Sequence, residues 1–223
     1  MEPHHRSTRE SLARYWPLYG LRLETPRLQL TVLADEDLPE LIELVLAGVH
    51  APERMPFAVP WTDAPPDQLI PNTLRFHWQE RAGIVPGNWR IPFAVRRNGI
   101  LVGLQELAGR DFPLLRTVHT GSWLGLAHQG EGIGTEMRVA VLQFAFEQLH
   151  AVRAESGAFT DNPSSLRISA KLGYRTNGMD RQQRRPGEVV AHQRLVLEPA
   201  EFRRPDWTVA VTGLEACRDL LQY

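Results

Sequence analysis

Gln129-Gly130-Glu131-Gly132-Ile133-Gly134-Thr135 is the stretch on which the reading of the fold turns. It follows an apolar run ending near Leu126 and opens the strongest helical pattern in the chain. That helix is predicted over 133–149, with Ile133, Met137, Ala140, Val141, Phe144 and Ala145 on one face and Arg138, Gln143 and Glu147 opposite. Three alternating glycines remove Cβ atoms, so backbone N–H groups can approach a ligand closely. The first turn of a helix leaves its N–H groups unpaired and carries roughly half a positive charge. Together these features make a cradle for a pyrophosphate. A turn that needs glycine only for packing accounts for one glycine at such a junction, not for three. The spacing sets other phosphate binders aside. No Lys-Ser/Thr follows the glycines, as a Walker A loop requires. G-x-G-x-G is also not the dinucleotide G-x-G-x-x-G, and it follows a late strand rather than a first one.

Working outward, Ile91–Arg97 and Ile100–Gly109 flank Asn98-Gly99, the strongest short-range signal for a β-hairpin. A third strand is predicted at about 117–126, after a loop containing Pro113. Beyond the glycine loop come a strand at about 152–159, a helix over 163–172 and strands at about 174–182 and 188–198. An antiparallel first half followed by a β–α–β–α–β order predicts an α/β (α+β) fold, a mixed sheet with helices on both faces. Nearer the start, Leu21, Leu23, Leu28 and Leu30 alternate around Pro26, which reads as one strand with an irregularity. Asp35 is placed as the cap of a helix carrying Leu38, Leu41, Ile42 and Val45 and ending near Gly48.

The chain has 223 residues, about one and a half domains at roughly 150 residues each. Lys+Arg 25 against Asp+Glu 26 leaves a net charge of −1, which argues against a nucleic-acid binder working through a broad basic face. No stretch approaches the roughly 18 apolar residues of a membrane helix, and residues 1–16 lack the apolar core of a signal peptide. A single cysteine, Cys217, cannot make an internal disulfide, so a cytoplasmic protein is the expectation. His4 and His5 are paired potential ligands in a polar terminus, and no metal is expected there. Residues 50–92 hold eight of 17 prolines and three of six tryptophans, and read equally well as a rigid substrate wall or as a cover for the core. After 199 a short strand at Trp207–Val211 and a short helix are predicted.

Two flanking stretches join the glycine loop in one pattern. Gly121-Ser122-Trp123-Leu124 precedes it, and Asp161-Asn162-Pro163-Ser164-Ser165 with Lys171-Leu172-Gly173-Tyr174 follows. Gln129-x-x-Gly132-x-Gly134 resembles the Q/R-x-x-G-x-G/A loop of the GCN5-related N-acetyltransferase (GNAT) superfamily, and the flanks resemble its central strand and its N-P-x-S … K-L-G-F/Y segment. Thr25-Pro26-Arg27-Leu28-x-Leu30 is similar to the first strand of the RimJ/RimL-type branch. The run from Gly121 to Arg138 looks like actinobacterial members, including a mycobacterial succinyl-CoA transferase.

The resemblance spans about 21–198 and implies a GNAT fold whose mostly antiparallel sheet splits between the family's strands four and five, here about 118–126 and 152–159. It implies coenzyme A as carrier, in the form of acetyl-CoA or succinyl-CoA, and an amine acceptor: a protein N-terminus, a lysine or a small-molecule amine. Gln129, Gly130, Glu131, Gly132, Ile133, Gly134 and Thr135 would hold the pyrophosphate. Backbone groups of Trp123, Leu124, Gly125 and Leu126 would bind the pantetheine and polarise the acyl carbonyl. Asn162 would hold a pantetheine amide, and Ser165 would protonate the leaving thiolate. The structural alternative for this pair is a helix start. Relatives often carry a glutamate where this chain has His119, which becomes the candidate base. His128 adjoins the loop as a lesser phosphate contact. For a succinyl carboxylate, His77 and Arg75 in the Pro/Trp segment are suggested contacts. Arg181, Arg184 and Arg185 read as a solvated hairpin. A covalent acyl-cysteine route is disfavoured, because Cys217 lies beyond the matched segment.

The expected organisation is one acyltransferase domain over 1–223, with a leader at 1–20, the insertion at about 50–90 and a tail at 199–223. The tail strand offers an edge for a neighbour's sheet, so a homo-oligomer is allowed for. No nucleic-acid or membrane partner is expected. The rival reading is a catalytically silent acyl-CoA-binding sensor or assembly module.

Overall fold

The computed structural model describes residues 8–223, so His4 and His5 lie outside the described residues. In chain order its elements are α1 (Thr8–Leu12), β1 (Arg22–Glu24), β2 (Gln29–Val32), α2 (Leu38–Leu46), α3 (Pro66–Ala82), β3 (Trp89–Arg97), β4 (Ile100–Gly109), α4 (Phe112–Leu115), β5 (Thr117–Leu124), α5 (Ile133–Gln143), β6 (Arg153–Phe159), α6 (Pro163–Leu172), β7 (Arg175–Arg185), β8 (Glu188–Leu197), β9 (Ala210–Thr212) and α7 (Arg218–Leu221). The nine strands form one sheet in the order β7-β8-β6-β5-β4-β3-β2-β1-β9. Every pairing is antiparallel except that of β5 with β6.

Alternation along the strands divides the apolar side chains between two layers. Phe93, Val95, Leu107 and Val118 join Ile133, Met137, Ala140 and Phe144 of α5 in the main core. On the other face Ala94, Leu101 and Leu104 meet Leu38 and Leu41 of α2, with Leu74 of α3 and Trp123 packed alongside. The Asn98-Gly99 turn has φ of +51° and +82°, the pair of positive values that a two-residue hairpin demands.

Several expectations are corrected. Residues 21–32 are two strands, not one: β1 and β2 pair antiparallel, Arg22 opposite Thr31, across the Thr25–Leu28 turn. The cause lies 111 residues downstream, where the Glu136 carboxylate accepts from Thr25 Oγ1 at 2.6 Å, Arg27 N at 3.1 Å and Arg27 Nε at 2.6 Å. Asp35 is no cap. Asp37 Oδ2 takes the Ala34 N–H at 2.8 Å, and Asp35 instead accepts from Trp78 and Arg81 of α3. The polar side of α5 does not face water: Arg138 and Gln143 are buried, and Gln143 clamps the tail through Trp207 O and Val209 N. The tail strand, at 210–212 rather than 207–211, adds to its own chain's β1. The leader reaches inward as well, since Leu18 is fully buried.

Candidate active site

The parallel pair β5–β6 is hydrogen-bonded only over Thr117–His119 and Arg153–Glu155. Beyond it the strands part, because β5 stays with β4 up to Leu124 while β6 pairs with β8 up to Phe159. The wedge between them is a cleft of about 730 Å³, lined by Gly121 and Trp123 toward α2 and by Thr120, Ser122, Ser156 and Arg138 toward α5.

At the wide end lies the glycine loop. Gly130 and Gly132 take φ of +83° and +80°, and Gly132 is the N-cap of α5. Thr135 N and Glu136 N fold back onto Gly132 O, both at 3.1 Å. The N–H groups of Gly130 through Gly134 have no acceptor among the described residues. A Cβ on Gly130 would meet nothing within 4 Å, and one on Gly134 would press Ile168 of α6 at 3.2 Å. One glycine thus keeps the mouth open, and the other lets the two helices approach. Glu131 turns its carboxylate away to Arg97. Cations outnumber acids along the wall, where Arg54, Arg167, Lys171 and Arg184 face the single carboxylate of Asp161. Five unpaired N–H groups on a helix N-terminus, beside unoccluded glycine and cationic walls, fit a polyanionic carrier such as coenzyme A.

The structure narrows the roles of the other loop residues. Gln129 Nε2 donates to Val49 O at 2.9 Å and Leu124 O at 3.1 Å, so this side chain ties the loop to the strand end. The N–H groups of Gly125 and Leu126 are already given to Val102 O and Gly48 O. Ile133 is core. Trp123 and Leu124 remain on the cleft wall, while His128 is not among its lining residues.

At the same wide end, across the wedge from the glycine loop, α6 begins. Asn162 Oδ1 accepts from Ser165 N at 3.2 Å as an N-cap, which leaves its amide nitrogen available. Ser165 lines the cleft, and its hydroxyl has no partner among the described residues. Tyr174 Oη meets Thr120 Oγ1 at 3.3 Å, and burial raises the phenol's pKa, so it stays neutral.

His119 lies outside the cleft lining, with its side chain 55% exposed and Nδ1 3.7 Å from Glu155. Glu106, which sequence reasoning did not single out, lies beside it, likewise outside the cleft lining. It sits opposite Gly121 in the β4–β5 register, and a Cβ on Gly121 would stand 3.5 Å from its Oε1. Burial raises the pKa of Glu106 against the pull of Arg90, which donates to both carboxylate oxygens at 3.1 and 3.2 Å. The signal was present in the hairpin register, since the glycine of one strand leaves room for the side chain opposite.

The Pro/Trp-rich segment is divided between the cleft and the core. Residues 49–58 line the cleft, while α3 and Trp89 cover the core. His50, Phe57, Trp61 and Trp123 form a chain of rings with centroids 5.7, 5.2 and 6.0 Å apart. The basic run is not a solvated hairpin. Arg184 is 7% exposed, bonded bidentately to Asp161, to Glu188 and to Met55 O, and Arg185 holds Asp63 and Pro52 O. These two arginines clasp the segment to the β7–β8 hairpin, and Arg181 stays exposed. His77 and Arg75 do not line the cleft: His77 is buried and Arg75 contacts Asn72.

A split sheet with a phosphate-type cradle at one end of the wedge defines a carrier-dependent transferase architecture. The family model described as the acetyltransferase (GNAT) domain matches residues 27–175, and the chain belongs to this family. Among curated proteins, the probable N-acetyltransferase YjcK of Bacillus subtilis is 37% identical over 68 residues, 30% of this chain and 38% of that protein. Mycobacterium smegmatis RimJ in complex with CoA-disulfide superposes with a TM-score of 0.64 at 17% identity, covering 89% of this chain and 91% of that one. The ribosomal α-N-protein acetyltransferase RimL in complex with coenzyme A gives 0.63 at 15% identity, over 78% and 95%. Among the described residues no helix is long and apolar enough to cross a membrane, and no cluster of three or more potential ligands could hold a metal.

Proposed function

We propose that this chain is an N-acyltransferase that moves an acetyl or succinyl group from coenzyme A to a primary amine, by direct attack within a ternary complex. The observation that carries this reading is the unpaired N–H run of Gly130–Gly134 at the wide end of a split sheet. The thioester supplies an activated acyl carbon. The chain's own groups do the rest. The loop N–H groups, with Arg167 and Lys171 nearby, take the phosphates. Leu124 presents backbone on the free side of β5, Trp123 lines the wall, and Asn162 offers its amide nitrogen to the carrier arm.

The amine nitrogen bonds to the acyl carbon, the carbon–sulfur bond breaks, and Ser165 passes its hydroxyl proton to the sulfur while taking one from solvent in its place. The amine's proton passes to the Glu106–His119 pair, which shares one face of β4 and β5 beside Gly121. A carboxylate whose pKa is raised by burial is a stronger base than an ordinary one. Residues 49–58 and the aromatic chain form the acceptor's side of the cleft. The amine acceptors named for RimL support a protein N-terminus, and a small amine or a lysine fits the same chemistry. This reading excludes Cys217 from any covalent role, because it is fully buried and its thiol pKa is pushed up to about 11.

A thiol-release assay with acetyl-CoA and succinyl-CoA against a panel of α-amines, lysine and polyamines tests the proposal. We expect amine-dependent release whose kcat/KM falls on the acid side as Glu106 protonates. Silence with every pair, while coenzyme A still binds, would establish the sensor reading instead.

A further inference from the structure

The floor of the cleft holds a charge that the protein does not neutralise. Arg138 projects from α5 beneath the split and is 4% exposed. Nη1 donates to Ser169 Oγ at 3.2 Å and Nη2 to Ser122 Oγ at 2.9 Å, while Nε is buried with no acceptor. No carboxylate stands within 4 Å among the described residues. Glu136 of the same helix and Asp161 of the cleft wall are engaged elsewhere, with Arg27 and Arg184. Tyr174 is held neutral by burial and shares a hydrogen bond with the Thr120 hydroxyl, so it supplies no counter-charge.

A buried cation satisfied only by two neutral hydroxyls bears its desolvation cost without a partner. An unpartnered buried guanidinium lining a ligand cleft calls for an anion from the ligand. The carrier's phosphates belong at the loop, and its pantetheine arm is neutral, which leaves the acyl group. An acetyl methyl offers Arg138 nothing, whereas a terminal carboxylate offers the planar two-oxygen acceptor that the guanidinium fork fits.

We infer that Arg138, braced by Ser122 and Ser169, is a specificity-determining residue that binds the free carboxylate of a dicarboxylic acyl group. The donor class is therefore succinyl-type acyl-CoA rather than acetyl-CoA. The inference rests on the cleft's being an acyl-CoA site.

The test is calorimetric binding of succinyl-CoA, butyryl-CoA and unacylated coenzyme A to the full chain, with no acceptor needed. Succinyl and butyryl have equal length and differ in carboxylate against methyl. We expect succinyl-CoA to bind about tenfold tighter or more, as suits a charge-assisted hydrogen-bonded pair. Arg138→Met should abolish that preference and leave coenzyme A affinity within about twofold, and Arg138→Lys should keep part of it. Equal affinities for the wild-type chain would overturn the inference even if no variant folds. So would a preference that survives Arg138→Met, or a loss shared equally by all three ligands. Failure of unacylated coenzyme A to bind the wild-type chain would instead overturn the reading of the cleft, and this inference with it.

Discussion

His77 shows how a single side chain can couple this fold to pH. It is buried on α3 with Nδ1 unsatisfied, and burial, aided by Arg81, lowers its pKa to about 4. The unfolded chain protonates this group near 6.5, so between those values the unfolded state binds more protons. Stability from this group is complete above pH 6.5 and is lost as pH falls toward 4, by up to about 3 kcal/mol. Urea unfolding at pH 7 and pH 4.5 should show His77→Leu losing about 2 kcal/mol less than wild type between the two; parallel losses would contradict the assignment. At this scale the sequence was least legible. The glycines, Asn162 and Ser165 declare themselves through local spacing, but Arg138, Arg184 and Glu106 do not. Each acquires its setting from residues 15 to 129 positions away, and a helical wheel or a charge run has no access to such partners.

Among elements, the hairpin at Asn98-Gly99 and helix α6 were readable because their turn chemistry is local: an Asn-Gly pair in one, an Asn cap and a left-handed Gly173 in the other. The β1–β2 turn was not, since Glu136 of α5 imposes it. The arginine clasp also lives at this scale. Arg184 joins β7 to Met55 of the cleft wall and to Asp161 at the start of α6, so one side chain aligns three elements. Arg184→Met should cost about 1–2 kcal/mol, since the charge-assisted bonds and the guanidinium's contact over the Phe159 ring are lost. Limited proteolysis should then cut faster within 49–63. Unchanged protection there would mean that Arg185 and Asp63 hold the wall alone.

For the whole molecule, the order of elements carried the architecture, because alternating strands and helices admit few right-handed, unknotted arrangements. The half-domain of surplus length becomes a leader anchored by buried Leu18 and Tyr19, a wall for the cleft and a tail strand paired to the sheet's own β1. The divergence of β5 from β6 organises all of this around a single wedge. The central claim, that the wedge and its glycine loop hold coenzyme A, is tested most directly by calorimetric titration of coenzyme A into wild-type and Gly132→Asp protein. Gly187→Asp serves as the control, since its φ of +77° imposes the same backbone demand away from the cleft. The account predicts saturable one-to-one binding by wild type and Gly187→Asp, and a loss of about 30-fold or more in Gly132→Asp from bulk and like charge at the cradle. Equal affinity in all three proteins would contradict it.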